Sequence, residues 1–120
     1  MTTRERLRSV LPAISEKAWR QQVVDLARLN GWMCYWTWNS IHSPAGFPDL
    51  VLVRPPRIIF AELKAQKGKL SPPQEEWLQA LKDCQVVTHL FCEVGVWRPN
   101  DFERVAQQLQ REVQKPQGAA

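Results

Sequence analysis

The chain has 120 residues, of which 44% are hydrophobic and 23% charged, with a formal net charge of +4; this is the profile of one globular domain around a single core. No apolar run approaches the ~20 residues of a membrane span, and the polar opening Met1-Thr-Thr-Arg-Glu-Arg reads against a signal peptide. The three cysteines, Cys34, Cys84 and Cys92, lack Cys-x-x-Cys spacing, which argues against a disulfide scaffold or structural zinc site and for a reducing cytoplasm.

The positive charge leans toward a polyanionic partner, although small basic proteins of other kinds are common. His42 and His89 stand too far apart in sequence for a local metal motif. Residues 1–14 read as a basic N-terminal segment, with a short helix over Arg4–Val10 closed by Pro12. Residues 15–113 form the expected domain, and residues 114–120 a frayed tail.

Within that domain a helix starts at Ser15, an N-cap, with Glu16 in the first turn where the helix dipole favours an anion. Ala18, Trp19, Val23, Leu26, Ala27 and Leu29 recur at helical spacing, and Asn30-Gly31 ends the helix. Trp32–Trp38 is aromatic and rich in strand formers, predicting the first strand. A loop over Asn39–Phe47 leads to a second strand, Pro48–Arg54. Pro55-Pro56 turns the chain into a third, Arg57–Lys64, so the two pair as a hairpin. Ser71-Pro72-Pro73-Gln74 predicts the next helix, with Ser71 as N-cap, Pro72 in the first helical position and Gln74 at the capping-box position. Trp77, Leu78 and Leu81 form its expected buried face. A further strand lies within Val86–Trp97, then Arg98-Pro99-Asn100-Asp101 breaks it and caps a last amphipathic helix carrying Phe102, Val105, Ala106 and Leu109. The order α-β-β-β-α-β-α suggests an α/β or α+β sheet with helices packed on it.

Charge at the ends of the second and third strands is the anomaly. Residues i and i+2 of a strand share a face, so Glu62 and Lys64 point together and Leu63 away. Asp49 and Glu62 are equally far from the Pro55-Pro56 turn and so face each other across the hairpin. Two close carboxylates repel and call for a cation. Oxygen ligands suit a hard divalent ion such as Mg2+, which can polarise a phosphoryl oxygen and acidify a bound water. A nearby lysine can orient that water or stabilise developing charge. These parts fit hydrolysis of a phosphodiester. The plainer alternative makes Asp49 a turn cap and Glu62 with Lys64 an exposed pair on a sheet edge.

Pro48-Asp49 followed by Glu62-Leu63-Lys64 resembles the signature of the PD-(D/E)xK nuclease superfamily. Together "SEKAWRQQVVDLARLNGW", "GFPDLVLVR", "IIFAELKAQKGKLSPPQEEWLQAL" and "VWRPNDFERVAQQL" resemble the VRR-NUC (virus-type replication and repair nuclease) family over about residues 15–110. The resemblance implies a restriction-endonuclease-like core, a mixed central sheet flanked by helices, and a nuclease dependent on Mg2+ or Mn2+. Carried over by position, Asp49 and Glu62 are metal ligands, the Leu63 carbonyl a third, and Lys64 the catalytic lysine. Glu16 matches a glutamate near the metal site, against its plainer role as a partner of the helix dipole. Gln74 matches a glutamine that either reaches the site or only closes the capping box. Stand-alone phage and bacterial members are similar to junction-resolving homodimers, which implies branched DNA such as a Holliday junction as substrate and a helicase or other replication protein as a working partner. One departure is the segment Cys84–Gly95, longer than the family pattern.

Lys67 and Lys69, just past the third strand, are candidate phosphate contacts beside the cut, against the alternative of a solvated loop. Arg4, Arg6 and Arg8 are candidates for touching DNA or a second subunit. Trp36, Trp38 and Ser43 lead to the site; the tryptophans stack on bases or, more commonly at such positions, serve core or interface. No base-reading motif stands out, so shape rather than sequence is the expected basis of recognition. The competing class is a non-catalytic DNA-binding or replication-accessory module that retains the fold.

Overall fold

A computed structural model describes residues 2, 14–37, 42–88 and 91–113. The expected basic helix with Arg4, Arg6 and Arg8, together with Trp38, His89 and the 114–120 tail, lies outside the described residues. In chain order the elements are α1 (Glu16–Leu29), β1 (Met33–Trp36), β2 (Leu50–Arg54), β3 (Arg57–Leu63), α2 (Pro72–Thr88), β4 (Phe91–Trp97), a 3-10 turn (Pro99–Asp101) and α3 (Phe102–Gln110).

The strands form one mixed sheet in the order β1-β2-β3-β4, with β1, β2 and β3 antiparallel and β4 parallel to β3. Arg54 pairs with Arg57 across the Pro55-Pro56 turn, and the register continues through Leu52 opposite Ile59 to Leu50 opposite Ala61. Leu50, Leu52, Ile59, Ala61 and Leu63 are fully buried and share one face. Trp19, Val23, Val24 and Ala27 of α1, with Val105 and Leu109 of α3, complete that core. The parallel β3–β4 step requires a crossover, which α2 supplies.

The helix signals act as their chemistry dictates. Ser15 accepts the Ala18 N–H at 3.1 Å, and Gly31 after the Asn30 cap has φ +83°, a conformation that glycine adopts without a Cβ penalty. Several expected limits shift. The first strand is shorter than Trp32–Trp38: the Trp32 backbone N–H donates to the Ala27 carbonyl at 3.0 Å, closing the end of α1 instead of joining the ladder, and its buried indole donates to the Leu109 carbonyl at 2.9 Å. Helix α2 runs to Thr88, so Val86–Thr88 belongs to the helix and not to the following strand. Of the expected α2 face only Leu78 is buried; Trp77 stays 37% exposed, meeting Phe47 edge-on at 5.2 Å. Asp101 does not cap α3. Its carboxylate turns back to the Arg98 N–H at 2.9 Å.

The hairpin end of the sheet holds a polar cluster around Arg57 and Arg54. Arg57 is only 2% exposed. Its guanidinium makes a two-pronged bond to Glu93 at 2.8 and 2.7 Å and donates to the Arg111 carbonyl. Arg54 donates to the carbonyls of Asn30 and Leu109, both at 2.9 Å, which satisfies helix C-terminal acceptors. Both guanidinium groups lie over the Trp32 ring, 4.7 and 4.8 Å from its centroid. Removing the Arg57 guanidinium takes the two-pronged partner from Glu93 and leaves it the exposed Arg111 at 2.8 Å and Gln108 at 3.2 Å, both on Oε1. Arg57→Met is therefore expected to lower stability by about 3 kcal/mol in urea titration, and adding Glu93→Gln to recover part of that loss.

Candidate active site

The hairpin register that pairs Leu50 with Ala61 brings the preceding Asp49 opposite Glu62. Asp49 Oδ2 accepts the Leu63 N–H at 3.2 Å. A residue in a strand turns its N–H and C=O to the same edge, so the Leu63 carbonyl also faces the Asp49 side. Glu16, in the first turn of α1, completes a group in which one carboxylate oxygen from each of Glu16, Asp49 and Glu62 lies within 4.8 Å of the others. Lys64 Nζ stands 3.9 Å from Glu62 Oε1, and its side chain is 13% exposed. The reading of Glu62 and Lys64 as an exposed edge pair is thereby excluded: Glu62 is 1% exposed, on an interior strand.

Gln74 does both of the things foreseen for it. Its backbone N–H donates to Ser71 Oγ at 3.3 Å and its Oε1 accepts the Ser71 N–H at 2.8 Å, closing the capping box. Its Nε2 is left free to donate to Glu62 Oε1 at 3.1 Å. The start of α2 is thus tied to the acidic group. Lys67 and Lys69 are exposed on the segment after β3. Trp36 is half-buried against the core, with Arg28 over its ring at 5.3 Å, so it is not a free stacking surface. Ser43 is exposed.

Three supports hold these groups and none follows from a local motif. The Trp19 indole, one helical turn beyond Glu16, donates to the Trp97 carbonyl at 2.9 Å, and the Lys64 N–H donates to the same carbonyl at 3.1 Å. Gly46, three residues before Asp49, has φ +98°, and a Cβ there would lie 2.5 Å from the Pro73 carbonyl carbon and oxygen. Phe47 then packs edge-on between Phe60 at 6.0 Å and Trp77. The third support, around Arg98, is treated below.

With all carboxyls ionised, the buried Glu62 Oε2 has no hydrogen-bond donor. Burial first, and then the hydrogen bond and negative charge of Asp49, push the Glu62 carboxyl up to about 8, with Lys64 pulling it back only in part. A proton shared with Asp49 is one way to relieve this; a divalent cation is the other. The donor set fits such an ion: three carboxylates, hard oxygen ligands, at a spacing one cation can span.

A mixed sheet flanked by helices, with acidic groups beside paired strand ends and a lysine on the same face, is compatible with a restriction-endonuclease-like fold. The chain belongs to the VRR-NUC domain family, whose model matches residues 3–95. The match takes in the segment before α1 and stops inside β4, short of Trp97 and α3. Neither a curated protein nor a solved structure matches the chain. Among the described residues no helix is long and apolar enough to cross a membrane.

Two outcomes follow. Gly46→Ala forces both an unfavourable φ and a clash with α2, and is expected to cost at least about 2 kcal/mol by chemical denaturation. For Glu62 the folded value lies above the ordinary 4.5, so the folded state holds the proton more tightly than the unfolded chain. Its contribution to stability is complete below pH 4.5 and is lost as pH rises through about 8. Urea midpoints measured in a chelator should therefore fall over that window, and Glu62→Gln should flatten that part of the profile.

Proposed function

We propose that the protein is a divalent-metal-dependent endonuclease that hydrolyses phosphodiester bonds in branched DNA, such as a Holliday junction. The observation that carries this reading is the convergence of Glu16, Asp49 and Glu62 within 4.8 Å, with the Glu62 oxygen lacking any donor. Asp49 and Glu62, with the Leu63 carbonyl and Glu16, would hold Mg2+ or Mn2+. When bound, the ion supplies positive charge that polarises a phosphoryl oxygen and acidifies a water.

The chain's own residues supply the rest. Lys64, held beside Glu62, places an ammonium where negative charge develops on the phosphate or where the attacking water must be oriented. Gln74 fixes the rotamer of Glu62 by donating to Oε1, which leaves Oε2 for the ion. Lys67 and Lys69, exposed past the end of β3, are placed to contact backbone phosphate and give salt-dependent affinity without reading bases. A homodimer would offer one site to each of two strands. Met33 and Tyr35, 72% and 65% exposed on the edge strand β1, are surface such a contact could cover. Action in the cytoplasm alongside a helicase or other replication protein belongs to the same proposal.

The test is cleavage of junction, flap and plain duplex DNA with Mg2+, Mn2+ or a chelator, run beside a measurement of solution mass. Cutting of branched DNA is expected only with metal, from a dimer, and Lys64→Ala should lower kcat by about 10²–10³-fold. Equal rates for Lys64→Ala and the original chain would sink the mechanism. DNA binding without any cleavage would favour the non-catalytic module.

A further inference from the structure

The segment after β3 turns back over the lysine at its end. The Gly68 N–H donates to the Ala65 carbonyl at 3.0 Å, closing a tight turn. Gly68 lies beside Lys64: a Cβ on it would meet Lys64 Cδ at 3.4 Å, an ordinary contact, and the Ala65 oxygen at 3.3 Å. The turn therefore runs alongside the aliphatic stem of Lys64, whose ammonium stands 3.9 Å from Glu62 Oε1.

The turn does not hold itself. Arg98, across the gap from β4, aims Nη1 at three of its carbonyls: Ala65 at 2.8 Å, Gln66 at 3.3 Å and Gly68 at 2.6 Å. The Asn100 N–H donates to Gln66 Oε1 at 2.9 Å. Arg98 is itself fixed at the backbone, where its N–H donates to Asp101 Oδ2 and its carbonyl accepts the Asp101 N–H at 2.8 Å. A guanidinium suits the task because it is always charged and its donors lie in one rigid plane. Without it, the Ala65-Gln66-Lys67-Gly68 turn has little apolar burial to keep it closed.

We propose that Arg98 is a positioning residue for Lys64: it latches the 65–68 turn against the lysine stem and so holds the ammonium beside Glu62. The inference rests on the reading of Lys64 as the lysine of the nuclease site. It also gives Asp101 and Asn100 a purpose, since Asp101 holds the backbone of Arg98 and Asn100 holds the turn.

Two measurements test it on the full chain. Nuclear relaxation at the Lys64 Cε and Nζ in the metal-free protein reports the order of that side chain without reference to activity. Arg98→Met should lower that order while leaving the fold intact, and Arg98→Lys, which keeps a charged donor, should lie between. In cleavage of branched DNA, Arg98→Met should lower kcat by about 100-fold with KM within about two-fold. Combined with Lys64→Ala it should add no further loss, because both changes remove the same placed ammonium. Unchanged Lys64 order, a rise in KM alone, or losses that multiply in the double variant would each overturn the inference. If the original chain cuts no DNA, the nuclease reading fails instead, and Lys64 order alone decides the latch.

Discussion

Pairing of Arg54 with Arg57 at the closed end of the β2–β3 hairpin determines what happens at its open end, where Asp49 comes opposite Glu62. Strand side chains alternate, so a slip of one residue in that pairing would send one carboxylate to the opposite face. The buried face locks the register: Leu50, Leu52, Ile59 and Ala61 leave no freedom to slide without exposing themselves. The acidic group is therefore a consequence of core packing on the other side of the same two strands. Chemistry and core are written on alternate residues.

That arrangement works against the stability of the site region. Glu62 is buried with an oxygen that meets no donor, and its nearest neighbours include another carboxylate. Such groups are costly unless something compensates them. The opposite end of the sheet is built in the contrary sense. There the polar groups are partnered, with Arg57 and Arg111 on Glu93 and helix carbonyls capped by Arg54. One end of the sheet has its polar groups partnered, and the other buries a carboxylate oxygen without a donor. The division is common where a protein keeps a reactive centre on a rigid frame.

Much of this was legible in the sequence. Counting from the Pro55-Pro56 turn places Asp49 against Glu62, and a period of two places Lys64 beside Glu62. Ser15 and Ser71 mark their helices by local capping chemistry. Gln74 stands at a capping-box position, and its amide, having two ends, closes the cap with Oε1 and reaches Glu62 with Nε2. The supports were not legible, because their partners are backbone atoms remote in sequence. Nothing near Gly46 says that Pro73 will press on it, and nothing near Arg98 says that its targets are carbonyls some thirty positions earlier. Arg57, a charged residue in an apolar strand, was a signal of the same kind as Glu62. The difference is that its partner, Glu93, lies on a strand whose register could not be fixed without knowing that α2 extends to Thr88.

The carbonyl of Trp97 accepts from both the Trp19 indole and the Lys64 amide. The helix that bears Glu16 and the strand that bears Lys64 are thus referred to a single atom, and a carbonyl oxygen has the two lone pairs to receive both. If the edge of β4 shifts, the two elements shift with it and keep their spacing to each other. That atom belongs to the main chain, so no replacement of the side chain at position 97 deletes it. The alignment of Glu16 with Lys64 is inherited from the backbone, and drift in the sequence of the edge strand can be absorbed as long as the strand itself stays where it is.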